Sequence, residues 1–319
     1  MASNGTRKIL LSGIQPSGTM HIGNYFGAIK QFVEMQGQYD TRIFIADLHA
    51  ITTVQDKEKL SKMILDVTMD YIACGLDPEK IILFKQSDIP EVAEMTWYFN
   101  CITTMAFLER ATTYKDANQK AKEVTVGLFD YPMLMSADIL IQDADVVPVG
   151  ADQKQHVEYA RDTAQKFNNI YGETFKLPEP MIIKEVAIVP GTDGRKMSKS
   201  YGNTIPLFGT DEEIKKAVMS IVTDSGSSVP ENVYNIHMLF RSKEELDTIY
   251  KEKEGKYKEL KELLITDIIN YISPMREIRN KLAENKNEVI KILENGKNKI
   301  KPIVEKKMLE IRSNVGVQL

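Results

Sequence analysis

Through its first 190 residues the chain alternates short apolar runs, bounded by turn residues, with longer stretches of helical periodicity. Lys8–Ile14, Arg42–Ala46, Ile81–Lys85 and Val146–Val149 have the length and composition of buried strands, and each is followed by a helix-compatible stretch. Strands that recur after helical crossovers predict an α/β fold with a doubly wound, Rossmann-like parallel sheet, whose ligands bind at the carboxyl ends of the strands. Chemically versatile residues fall at those ends. Gly13 to Asn24 follow the first strand, Asp47 to His49 the second, and Gly150 to Gln153 the strand ending at Val149.

Past a glycine-rich loop at 191–203 the pattern is helical throughout. Thr210 with Glu213 reads as a capping box ahead of Ile214, Ala217, Val218 and Ile221 at helical spacing. Helical patterns continue over 244–272 and 282–312, where Ile290, Leu293, Ile300, Val304, Met308 and Ile311 form an apolar stripe on a charged helix. The expected organisation is a nucleotide-binding catalytic domain over 1–206, an α-helical domain over 207–292, and a C-terminal helix over 293–319 that packs back on the catalytic domain. Charge is spread unevenly along the chain. Residues 251–319 carry 16 Lys+Arg against 11 Asp+Glu, a net of +5, which leaves −9 on the rest. A basic tail on an acidic body suits a polyanion such as RNA, and equally a solvated helical surface.

No apolar run reaches the ~20 residues a membrane span needs, and Lys8 to Ile14 is too short for a secretory segment. A cytoplasmic protein with no membrane partner is expected. Cys74 and Cys101 have no second Cys or His at metal spacing, so no protein-held metal is expected and both read as buried reduced thiols. Trp97 is expected in the core or on a dimer surface.

Two strings carry phosphate chemistry. Ser12-Gly13-Ile14-Gln15-Pro16-Ser17-Gly18 runs from the first strand into a helix that begins near Met20 or His21. A helix N-terminus offers unpaired N–H groups to an anion, Gly18 and Gly23 permit close approach, and His21 and Asn24 can donate to phosphate oxygens. The second string, Gly191 to Asn203, contains Lys196-Met197-Ser198-Lys199-Ser200. Its glycines make it mobile, and its lysines are point charges able to follow an oxygen-rich leaving group. Taken alone, each string also fits a plain structural role: Gly18 as a turn residue, His21 as a first-turn residue, the lysines as a solvated basic loop.

In this order, and together with Ile22-Gly23-Asn24-Tyr25, Asp47-Leu48-His49-Ala50-Ile51, Tyr131 to Leu140 and Val147 to His156, the strings resemble class I aminoacyl-tRNA synthetases. Within that class the chain is similar to the bacterial tryptophanyl family, most densely over 9–203 and thinly beyond about 225. The resemblance implies that Gln15, Pro16, Ser17, His21, Gly23 and Asn24 meet ATP and that Gly150, Ala151, Asp152 and Ile188 surround its nucleoside. It implies that Lys196, Met197, Ser198, Lys199 and Ser200 form the mobile catalytic loop, and that Lys115 lies near the triphosphate. From the sequence alone Lys115 reads as a surface charge. Mg²⁺ is expected with the ATP, and tRNA(Trp), a homodimer and an anticodon-reading role for 207–292 are further implications.

For the amino acid, the resemblance places Asp138 as acceptor of the indole N–H, a group that only donates. It adds Leu11, Gly13, His49, Tyr131, Met135, Val147, Val149 and Gln153 as pocket residues. An acceptor such as Asp138 rejects phenylalanine but also accepts a tyrosine hydroxyl, so a tyrosyl enzyme remains an alternative. A synthetase-like RNA-binding protein without catalysis is another. Asp152 doubles as a helix N-cap candidate, and His156, one turn along, is read as structural.

Overall fold

The computed structural model describes residues 7–16, 18–111, 114, 124–150, 154–182, 189–223 and 229–318. Five parallel strands, β1 (Ile9–Ile14), β2 (Asp40–Ile45), β3 (Ile82–Lys85), β4 (Val146–Val149) and β5 (Glu179–Ile182), lie in the order β3-β2-β1-β4-β5. The order reverses between β1 and β4, and a crevice opens outside the carboxyl ends of these two strands at that switch point. Four strands coincide with the apolar runs of the sequence. The fifth contains Pro180 opposite Val147. Proline cannot donate to a ladder, and the strand sits at the sheet edge where that costs nothing.

The sheet carries a smaller cluster of Ile14, Ile43, Ile45 and Leu83 with Leu293 and one main core. Leu11, Phe44 and Phe84 meet Met133 and Ala137 of the Val126–Leu140 helix, Phe99 and Phe167 from flanking helices, and Ile300, Val304, Met308 and Ile311 of the Lys286–Val315 helix. That last helix passes so close to β3 that a Cβ on Gly296 would overlap the Leu83 carbonyl. It is continuous through residue 292. Its apolar stripe is narrower than the sequence suggested, because Ile290 is 42% exposed.

A second core joins the first helical segment to the C-terminal helices. Ile22, Phe26 and Ile29 pack with Val189, Met197, Ile205 and Leu207, with Ile214 and Val218 of the Asp211–Met219 helix, and with Leu264, Ile268 and Ile272 of the Tyr257–Glu284 helix. Thr210 and Glu213 exchange the expected capping bonds, at 3.2 and 2.8 Å. The helical run expected over 244–272 is two helices, Lys243–Glu252 and Tyr257–Glu284, separated at Gly255 with φ +73°. A left-handed glycine lets the chain leave one helix and start another without strain. Cys74 is buried as expected, whereas Cys101 is exposed, and Trp97 is 67% exposed and so lies outside the core. Among the described residues no helix is long and apolar enough to cross a membrane.

Candidate active site

The turn out of β1 reverses through Gln15, Pro16 and Gly18 before the helical segment Ile22–Asn24, which widens into a π-turn over Tyr25–Ile29. Gly18 has φ +51°, a region that side chains disfavour, and a Cβ there would lie 3.6 Å from Lys199 Nζ. His21 keeps extended backbone as the N-cap, and its N–H donates to Asn24 Oδ1 at 3.1 Å. Main-chain bonds then tie this segment to the chain that follows the lysine loop. Ile22 N–H donates to Ile205 O and Leu207 N–H to Met20 O, both at 3.0 Å. Two strings remote in sequence thereby share one short ladder.

The lysine loop is itself a hairpin. Met197 N–H donates to Val189 O at 2.9 Å and Gly191 N–H to Arg195 O at 2.6 Å, with Gly194 at φ +82° in the turn. Met197 is buried in the second core, while Lys196 and Lys199 line a cavity of about 280 Å³ together with Gln15, Gly18, Gly23, Asn24 and Met197 itself. A Cβ on Gly23 would stand 2.9 Å from His21 Nδ1 and 3.2 Å from Met197 Cβ, so only glycine lets the helix start, His21 and the loop close together. His21 is buried behind this wall and Nδ1 has no partner among the described residues. Burial, reinforced by the Lys199 charge, lowers its pKa to about 4, so the imidazole is neutral at pH 7. Partial desolvation lowers the Lys199 ammonium from its ordinary value, against the pull of Asp70. Asp70 lines the same cavity and is raised by burial although Arg279 Nε donates to it at 2.5 Å. Pro16, Ser198 and Ser200 lie outside the cavity wall, and the two serine hydroxyls are 2.8 Å apart.

A second cavity of about 590 Å³ shares Ile14, Gln15, Ala28 and Tyr71 with the first. Leu11, Gly13, His49, Tyr131, Met135, Val147, Val149 and Gly150 all line it. Gly13 is needed because a Cβ would meet the Phe44 ring at 2.6 Å. Asp138 stands behind His49, 3% exposed, outside the wall itself. Its Oδ2 accepts from Gln86 Nε2 at 2.8 Å and lies 3.1 Å from His49 Nε2. Burial raises the Asp138 carboxyl, and His49 and Gln86 oppose that shift.

Gln86 was not singled out in the sequence. Its Oε1 accepts from the N–H groups of Leu48 and His49, at 3.1 and 3.3 Å, which turns its amide nitrogen toward Asp138. The signal available was its place just after β3, at a strand's carboxyl end. His156, read as structural, lines the second cavity 3.5 Å from the Tyr131 hydroxyl. Ser17, Lys115, Ala151, Asp152, Gln153 and Ile188 lie outside the described residues. The geometry thus offers ammonium groups and N–H donors on one side of Gln15 and an apolar box of aromatic size, backed by a carboxylate, on the other.

Residues 3–291 match the family model of class I tRNA synthetases (W and Y). A tryptophan–tRNA ligase from Fusobacterium nucleatum is 47% identical over 316 residues, covering 96% of this chain and 97% of the relative. One from Campylobacter jejuni is 44% identical over 318 residues, covering 97% and 99%. The crystal structure of tryptophanyl-tRNA synthetase from Campylobacter jejuni complexed with ADP and tryptophan superposes with a TM-score of 0.92 at 43% identity, covering 97% of this chain and 99% of that one.

Proposed function

The chain belongs to the class I tRNA synthetases of the tryptophan and tyrosine group, and on that premise we propose that it is a tryptophan–tRNA ligase. It activates L-tryptophan with ATP and passes the tryptophanyl group to tRNA(Trp). The observation that carries this reading is the pair of cavities meeting at Ile14 and Gln15 over the β1/β4 switch point. A nucleotide seated against the two phosphate-handling strings would present its α-phosphate to the mouth of the apolar cavity.

In the first step a tryptophan carboxylate oxygen forms a bond to the α-phosphorus, and the bond to the bridging oxygen breaks as pyrophosphate leaves with the electron pair. A carboxylate is ionised at neutral pH, so no base is needed. The protein's task is to position the reactants and to stabilise charge on the leaving group. Gln15, Gly23 and Asn24 seat the nucleotide, and neutral His21 supports the helix start beneath it. Lys196 and Lys199 take up the charge of the departing pyrophosphate. Both face the nucleotide cavity, and a partly desolvated Lys199 gains most from an incoming anion. In the second step a hydroxyl of the 3′-terminal adenosine attacks the acyl carbon, AMP leaves and the hydroxyl proton is released.

Asp138, held by Gln86, accepts the indole N–H, with His49, Tyr131 and Met135 around the ring. Among the described residues there is no cluster of three or more His, Cys, Asp or Glu side chains able to hold a metal. Mg²⁺ would come with substrate ATP, whose phosphates hold it with few protein ligands, and would offset triphosphate charge. The helices over 207–292 read the anticodon, and the protein acts in the cytoplasm as a homodimer. Exposed Trp97, Met105 and Val126, on helical segments that pack side by side, support such an interface. An ATP–pyrophosphate exchange panel over the twenty amino acids tests the assignment. Exchange with tryptophan alone is expected, exchange with tyrosine but not tryptophan would make it a tyrosyl enzyme, and none with any amino acid would leave an RNA-binding protein.

A further inference from the structure

Asn203 closes the glycine-rich loop and has no part in the chemistry above, yet it is only 2% exposed. Its side chain spends all of its hydrogen-bonding geometry on the loop. Nδ2 donates to Asp193 Oδ1 at 2.6 Å and to the Lys196 carbonyl at 3.1 Å, while Oδ1 accepts the Ser198 N–H at 2.8 Å. Its own carbonyl accepts Thr192 N–H at 2.9 Å. The amide therefore clasps the main chain on both sides of Met197, the residue that pins the loop into the second core. Gly191 makes room for it, since a Cβ there would overlap the Asn203 amide. Asp193 in turn accepts Arg195 Nε at 2.8 Å, so the hairpin turn and the lysines share one connection.

We propose that Asn203 is a positioning residue for adenylate formation: its amide fixes the main chain at Lys196 and Ser198 so that the Lys196 and Lys199 side chains enter the nucleotide cavity. The inference rests on the ATP-dependent activation proposed above. Only an amide serves here, because the site asks for two donations from nitrogen and one acceptance at oxygen within a single planar group. A carboxylate of the same shape can accept from Ser198 but sets oxygen against oxygen at Asp193 and Lys196.

The test uses the full chain and N203D. Tryptophan-dependent ATP–pyrophosphate exchange should lose kcat by about tenfold or more, because two partly buried bonds become repulsive contacts, with tryptophan affinity by equilibrium dialysis held within about twofold. Adding D193N pairs an amide at 193 with the carboxylate at 203 and should recover a large part of the lost rate. Unchanged kcat in N203D, tryptophan affinity falling in step with kcat, or no recovery in the double variant overturns the proposal. Should N203D not fold, Asp193→Ala, at a partly exposed position, is expected to lower kcat several-fold at constant tryptophan affinity, and an unchanged rate refutes it equally. Absence of exchange in the wild-type chain would instead remove the activation reading beneath it.

Discussion

Replacing Asp138 by asparagine isolates the proposed indole contact from the fold around it. Two side chains converge on Asp138 Oδ2, Gln86 Nε2 at 2.8 Å and His49 Nε2 at 3.1 Å. Gln86 has no freedom to turn away, because its Oε1 is engaged by the N–H groups of Leu48 and His49. An asparagine oxygen still accepts from Gln86, so D138N should cost less than about 1 kcal/mol of stability. In the proposed contact the indole N–H, however, exchanges a carboxylate, which His49 and Gln86 favour against burial, for a neutral acceptor. Hydrogen bonds to charged groups contribute about 1.5–3 kcal/mol and neutral ones about 0.5–1.5. The difference of about 1–1.5 kcal/mol corresponds to roughly a 5- to 15-fold loss in kcat/KM for tryptophan. D138A goes further, since it leaves Gln86 Nε2 buried without an acceptor at a cost of about 1–3 kcal/mol, and should lower Tm as well. Steady-state exchange kinetics with each substrate varied in turn, alongside thermal unfolding, separate these effects. Tryptophan kcat/KM within twofold of wild type in D138N, or an ATP KM that rises in step with it, refutes the placement of the indole at Asp138.

Lys199→Ala should reduce single-turnover adenylate formation by about 100-fold, the scale of one lost charge-stabilising group, with tryptophan affinity unchanged; an unaltered rate would return the lysine to a solvated loop. Gly296→Ala should destabilise by about 1–2 kcal/mol in urea unfolding. The helix-propensity gain of about 1 kcal/mol is outweighed by overpacking against the Leu83 carbonyl, and a neutral or stabilised variant would show that the helix does not ride on β3. Glu94, held by Arg312 through bonds of 2.7 and 2.5 Å, has its pKa lowered chiefly by that contact. A depressed carboxylate stabilises the fold above its ordinary value near 4.3 and loses that contribution as pH falls through the lowered value. The Tm gap between wild type and Arg312→Ala should therefore be full at pH 7 and close below about pH 4, and a gap independent of pH would contradict the ion pair.

Local signals carried the parallel sheet and marked the two strings that line one cavity. Hydrophobic runs with turn residues at their ends are set by the chain's own periodicity, and β1 to β4 obey it. Pro180 hid β5 because proline argues against a strand until one knows it is an edge. Gly255 split a helix whose apolar spacing runs on across the break, and Ile290 and Cys101 faced solvent because exposure depends on which neighbour arrives. At the site the same division holds. His49, Tyr131, Met135 and Val147 line one cavity, and of these only His49 had a strand end as its local signal. Gln86, by contrast, became visible only when three elements met, since its orientation is decided by main-chain N–H groups of Leu48 and His49. Asn203 lay in plain view within the loop string, but hydrogen bonds to Asp193 and Ser198 are not written in spacing.

The closure of the Lys286–Val315 helix over β3 also orders events during the protein's own synthesis. Roughly 230 residues separate the end of β3 from the end of its cover, which at about 5–20 residues per second leaves the strand's edge open for roughly 10–50 s on the ribosome. An open edge invites pairing with other chains, so the nascent polypeptide is most vulnerable over that interval. A message cut short before codon 286 would yield all five strands with β3 left uncovered. Truncated products should be cleared as unfolded chains instead of accumulating as partial enzymes that consume ATP.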